Sequence, residues 1–132
     1  MPLTAPLTPE IQAYITGLFA QEDDILRRIR QQSEEEGLPQ IAVSAEEGAF
    51  LALLVRLCRA RRVLEIGTLA GYSTVWMARA LPPDGFLITV EKSAAHAQLA
   101  RRNFALAGVE GKIRLLVGQA SLMLKKAAAF SP

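Results

Sequence analysis

What this 132-residue chain lacks narrows it first. It has a single cysteine, Cys58, so it can form no intrachain disulfide and no thiolate zinc cluster. It has a single histidine, His96, which cannot by itself build the usual metal or triad arrangement. Aromatic residues are 6% of the chain, and they are not interleaved with the basic residues as binders of single-stranded nucleic acid require. The charge excess is small, fifteen Lys and Arg against thirteen Asp and Glu, a poor footprint for nucleic acid. No uninterrupted apolar run reaches the roughly 18 residues of a membrane span, and the start, MPLTAPLTPE, has neither a basic nor an apolar signal region. The expectation is a cytoplasmic protein with one core, bound to neither membrane nor nucleic acid.

What is present is a change of rhythm. Residues 1 to 7 are a proline-rich lead-in. Thr8, Pro9 and Glu10 read as the N-cap, first position and acidic first turn of a helix running to about Ala20, with Ile11, Tyr14, Ile15, Leu18 and Phe19 on one stripe. Residues 22 to 36 predict a second helix whose Arg27, Arg28 and Arg30 lie on a solvated face, with Ile25, Leu26 and Ile29 as its apolar side. Ser44 and Glu47 fit a capping box, opening a third helix to about Arg59 with Phe50, Leu51, Leu54, Val55 and Cys58 facing the core. Arg56, Arg59, Arg61 and Arg62 suit the helix C-terminal dipole and solvent.

From residue 63 onward the pattern is strand, helix, strand, helix, strand, in units of about 25 residues, close to a βαβ repeat. The strands are expected near 63–67, 85–91 and 113–117. Helices follow from Ser73 to Ala80, from the cap Ser93 to about Ala107 with Gly108 as terminus, and from Gly118 to Ala129. Ala97, Leu99, Ala100 and Phe104 should face inward, Trp76 and Met77 are read as core, and His96 as an exposed helix residue.

The chemistry is expected in VLEIGTLAGYS, residues 63 to 73, where a strand ends in a turn bracketed by Gly67 and Gly71. Ligands of parallel α/β folds sit at the carboxyl ends of strands, where glycines admit them to the backbone. The spacing fits neither G-x-G-x-x-G nor the phosphate loop G-x-x-x-x-G-K, which disfavours a nicotinamide oxidoreductase. Glu91 ends the second strand, 24 residues after Gly67, near the position of a ribose-binding acid. With no Lys or Arg between 63 and 73, a nucleoside bearing a positive centre near Glu65 fits better than a pyrophosphate. Glu65 itself, inside an apolar strand, needs partners such as an ammonium or a set of N–H donors.

VLEIGTLAGYST, then GFLITVE, then ARRNFALAGVEGKIRLLVGQA, resembles the first half of the cation-dependent O-methyltransferases, the family of the catechol and caffeoyl-coenzyme A enzymes, over about Leu38 to Leu124. The resemblance implies an α/β, Rossmann-like S-adenosylmethionine methyltransferase fold, truncated after about three parallel strands and preceded by N-terminal helices. It divides the chain into helices and connecting loop at 1–43 and a partial cofactor-binding domain at 44–132. The implied cofactor is S-adenosylmethionine and the implied partner a small phenolic or catechol-like methyl acceptor. By the same resemblance, Glu65, Gly67 and Gly71 form the methionine-side floor, with Tyr72 and Ser73 beside the amino-acid moiety. Glu91 holds the ribose hydroxyls, Gly118, Gln119 and Ala120 edge the adenine, and Val43 and Ser44 match the segment closing over the cofactor. Read without the resemblance, Tyr72, Ser73 and Gln119 are equally helix-start residues.

The family also uses a divalent cation, magnesium or similar, held by an Asp after a fourth strand and a later Asp-Asn pair, with a lysine nearby. Residues 125 to 132, KKAAAFSP, offer no counterpart, so no catalytic or metal residue is named. The first strand, without its fourth-strand neighbour, should leave an open edge, making the chain unstable alone, paired with another, or part of a longer protein. The alternative expectation is a non-catalytic binding or assembly module, associating through that edge or through the N-terminal helices.

Overall fold

The computed structural model describes residues 7–129. The elements run α1 (Pro9–Phe19), α2 (Asp24–Glu35), α3 (Ala45–Leu57), β1 (Arg62–Ile66), α4 (Tyr72–Ala80), β2 (Phe86–Glu91), α5 (Ala94–Leu106), a 3₁₀ turn (Glu110–Lys112), β3 (Ile113–Val117) and α6 (Ala120–Ala128). The fold is α/β, with the three strands parallel in the order β1-β2-β3.

Local chemistry sets most boundaries. Thr8, Asp23, Ser44 and Ser93 each accept a backbone N–H from the first turn of the helix they open, and Glu47 closes a full capping box with Ser44. Gly37 and Gly108 supply left-handed termini after α2 and α5. Arg59 does the same after α3 at φ 48°, although it is not glycine, and Ala60 N–H closes back onto the Val55 carbonyl.

Helices α4 and α5 share one face of the sheet with α2. Leu26, Ile29, Tyr72, Val75, Leu99 and Phe104 form the main cluster there. A smaller cluster of Val55, Met77, Leu81 and Leu87 joins α3 to α4 and β2. The inward residues expected on α5 are all buried, as is Met77, and Trp76 packs partly buried against the main cluster. Helix α6 lies toward the other face, where Ile88 meets a shallow groove with Leu64, Leu124 and Ala127.

Two expectations about the helices, the inward face of α3 and the exposure of His96, are corrected. On α3, Phe50, Leu54 and Cys58 are exposed, and the buried stripe is Ala45, Gly48, Ala52 and Val55. The cause is close packing by α4: a Cβ on Gly48 would stand 2.5 Å from Trp76 Cδ1, so small residues rather than large ones face the neighbour. On α1, the stripe of Ile11, Tyr14, Leu18 and Phe19 faces solvent, and no residue of that helix is buried. His96 is only about a quarter exposed and turns toward the end of β2.

Candidate functional site

The carboxyl ends of β1 and β2 open on a cavity of about 1030 Å³, roofed by α2 and the segment 39–43 and closed at the far end by the start of α6. Of the residues named from sequence, Val43, Gly67, Tyr72, Ser73, Glu91, Gly118, Gln119 and Ala120 line it. Ser44, Glu65 and Gly71 stand behind the lining and act on its shape.

Backbone geometry makes the turn. Within five residues Gly67, Leu69 and Gly71 all take positive φ, 90°, 52° and 86°. Gly71 has no substitute, because a Cβ there would stand 2.4 Å from Phe104 Cε1. Leu69 is strained for a residue with a side chain, a cost of about 1 to 2 kcal/mol. The strain is held by a carboxylate: Glu91 Oε2 accepts Leu69 N–H at 2.9 Å and Thr68 N–H at 3.1 Å, and Oε1 accepts Ser93 N–H at 2.9 Å. From behind, Asn103 Nδ2 donates to the Ala70 carbonyl at 2.8 Å.

Burial acts to raise the Glu91 pKa, yet the three N–H donors and the nearby His96 ring outweigh it and hold the carboxyl below its usual range. His96 Nδ1 lies 3.7 Å from Glu91 Oε1. A carboxylate offers about four acceptor directions. With three taken by backbone, Glu91 keeps one for a ligand hydroxyl.

Glu65 has the opposite setting. The register puts it opposite Thr89, whose hydroxyl donates to Oε2 at 2.6 Å, joined by Thr74 at 2.6 Å, while Ser73 donates to Oε1 at 2.6 Å. Since the Thr89 proton is spent on Glu65, Thr68 must be the donor in its 2.6 Å contact with Thr89 Oγ1. Burial raises the Glu65 pKa despite these bonds. The partners expected from sequence were an ammonium or N–H groups. The structure supplies three hydroxyls, tying β1, β2 and α4 together beneath the floor.

Other cavity residues were not anticipated. Ile29, Arg30 and Ser33 of α2 line it, and so do Lys92 and His96 beside Glu91. Arg30, expected on a solvated face, stacks its guanidinium 4.4 Å from the centroid of the Tyr72 ring. Arg30 Nη2 also donates to Glu22 Oε1 at 2.9 Å, and the Tyr72 hydroxyl donates to that same oxygen. Burial and the Glu22 bond push the Tyr72 pKa up to about 12, so it remains a neutral donor at physiological pH. The available signal was position: Arg30 follows the buried Ile29, and Ser33 lies one turn beyond it on the same side.

A strand-end cavity floored by a glycine turn and edged by a carboxylate on the next strand is the arrangement of a nucleoside-binding α/β protein. Comparison with known proteins then gives the family. The O-methyltransferase family model matches residues 17–130, and the chain belongs to that family. A catechol O-methyltransferase of Niastella koreensis is 46% identical over 110 residues, covering 83% of this chain and 50% of that protein. The O-methyltransferase TomG of Streptomyces achromogenes, solved with S-adenosylmethionine, superposes with a TM-score of 0.87 at 42% identity, covering 93% of this chain and 55% of that one. An O-methyltransferase of Bacillus cereus, solved with S-adenosylhomocysteine, gives a TM-score of 0.88 at 35% identity, covering 93% of this chain and 56% of that one. The chain thus spans about half the length of the curated relatives it matches.

Proposed function

We propose that the cavity binds S-adenosylmethionine and that the chain is the cofactor-binding part of an enzyme transferring its methyl group to a hydroxyl of a small phenolic or catechol-like acceptor. The observation that carries this reading is Glu91, fixed by three backbone N–H groups at the cavity edge with one acceptor direction left for a ribose hydroxyl. The cavity suits the cofactor in volume, and the bare floor at Gly67, where a Cβ would meet nothing within 4 Å, leaves room against the backbone. The chemistry supplied on binding is a sulfonium methyl open to in-line attack by oxygen.

In this reading Glu91 orients the ribose, Gly118, Gln119 and Ala120 border the base, and Val43 with the 39–42 segment excludes water from above. Tyr72 and Ser73 flank the amino-acid end. Glu65, Ser44 and Gly71 fix the floor and roof from behind. The chain divides into N-terminal helices and connecting loop at 1–43, of which α2 covers the cavity, and a binding unit at 44–132, and the location is cytoplasmic. Among the described residues no three His, Cys, Asp or Glu converge, so they do not fit a divalent cation.

Calorimetric titration with S-adenosylhomocysteine tests the reading. Wild type should bind, and Glu91→Gln should weaken binding at least tenfold, since a hydrogen bond to a charged group contributes about 1.5 to 3 kcal/mol. Unchanged affinity in the variant would remove the ribose assignment.

A second reading, association with another copy, is favoured by the exposed α1 and α3 residues. Phe19 and Leu57 are 75% and 69% exposed, and Leu64 and Ile66 leave the outer side of β1 open as well. Sedimentation over a range of concentrations decides it: a concentration-independent monomer excludes association.

A further inference from the structure

The cavity is electrically two-ended. Five charged or titratable side chains line it among the described residues: Arg30, Tyr72, Glu91, Lys92 and His96. The last three cluster where β2 passes into α5. Arg30 stands apart on α2, over the first turn of α4, and is the only cation at the Tyr72 and Ser73 end of the lining.

The guanidinium is held rather than free. Its Nε and Nη2 both donate to Glu22 Oε1, at 3.2 and 2.9 Å, and its Cζ lies over the Tyr72 ring. The same Glu22 oxygen takes the Tyr72 hydroxyl, so three donors saturate it. An arginine braced on one edge by a carboxylate and held over a phenol ring presents its other edge in a fixed direction, which suits recognition of a planar anion. Solvation alone does not require such bracing.

We propose that Arg30 recognises the α-carboxylate at the amino-acid end of the cofactor, with Glu22 and Tyr72 as the residues that position it. The inference rests on the cofactor reading above. It deepens that reading by dividing the cavity into a ribose end under Glu91 and an anion end under Arg30. It also assigns to α2 a part in ligand specificity.

The test compares S-adenosylhomocysteine, which carries the carboxylate, with 5′-methylthioadenosine, which lacks the amino-acid chain. Arg30→Met keeps an apolar stem over Tyr72 and removes the charge. By calorimetry its affinity for S-adenosylhomocysteine should fall roughly 10- to 100-fold, the range for one charge-assisted bond. Affinity for 5′-methylthioadenosine should stay within about twofold, and Arg30→Lys should recover part of the loss. Rising salt should weaken the first ligand more than the second in wild type. Because Arg30→Met leaves Glu22 unpaired, the double variant Glu22→Gln with Arg30→Met is measured beside it and should show the same selective loss. Equal losses for both ligands would make Arg30 a structural residue and overturn the inference, as would undiminished S-adenosylhomocysteine binding. Wild-type binding of neither ligand overturns the cofactor reading and this inference together.

Discussion

The cavity end of the sheet and the outer helical surface use their residues in opposite ways. At the cavity, polar groups are numerous and engaged: Glu65 takes three hydroxyls, Glu91 three backbone N–H groups, and Asn103 holds the loop from behind. On the outer surface, α1 and α3 present Tyr14, Leu18, Phe19, Phe50 and Leu57 to solvent with few polar partners. One region is fixed by directional bonds in a low-dielectric setting, where an unmade bond is costly. The other is apolar surface whose side chains have little to lose. Rigidity is thus concentrated where a ligand is to be positioned.

The sharpest way to break this contrast is at the turn. Gly71→Ala adds both overpacking against Phe104 and strain at positive φ, and should cost about 3 kcal/mol in urea unfolding. Glu65→Ala leaves three hydroxyls without their acceptor and should cost about 2 to 3 kcal/mol, with Glu65→Gln recovering part of it. Asn103→Ala frees the Ala70 carbonyl and should cost about 1 to 2 kcal/mol while loosening the turn, read as faster amide exchange at Leu69. On the outer surface, Phe19→Ser should change stability by no more than about 0.5 kcal/mol. A large loss there would show that the apolar face is covered in solution.

A finer contrast lies in pH. Glu65 has its folded pKa raised, so its contribution is most favourable below the ordinary value of 4.5 and declines as pH rises through the raised value. Glu91 has its folded pKa lowered, so its contribution is present above 4.5 and is lost as pH falls through the lowered value. Urea midpoints measured on either side of pH 4.5 should therefore show a fall with rising pH that disappears in Glu65→Gln. Glu91→Gln should leave that fall in place and remove the loss on the acid side. Glu46 on α3, which accepts the Thr16 hydroxyl of α1, also has a lowered pKa. It lies at the partly exposed seam between α1 and α3, and its acid-side effect should be the smallest, a loosening of α1 seen by amide exchange.

Much of the framework was legible in order. Ser44 with Glu47, Ser93, Gly108 and the apolar runs of β2 and β3 mark boundaries by chemistry acting within a few residues, so they need no knowledge of the rest of the chain. The turn at 63–73 and Glu91 were legible by spacing. The inward face of α3 was not, because Gly48 and Ala52 face the core only once α4 arrives, and a helical pattern ranks Phe50 and Leu54 above them. The exposure of the α1 stripe has the same origin: amphipathic spacing states that a face is apolar, not that anything lies against it.

The sequence by itself therefore determined the order of elements, the left-handed positions that only glycine tolerates at Gly67 and Gly71, and the acid that ends the second strand. The tertiary structure alone decided that Glu65 is satisfied by Ser73, Thr74 and Thr89, because parallel register sets Thr89 beside it and α4 delivers the other two. It alone placed Arg30 over Tyr72, 42 residues apart in the chain. Short-range bonding and backbone sterics are written into neighbouring residues. The pairing of distant charges depends on which helix faces come together, and that is settled by packing.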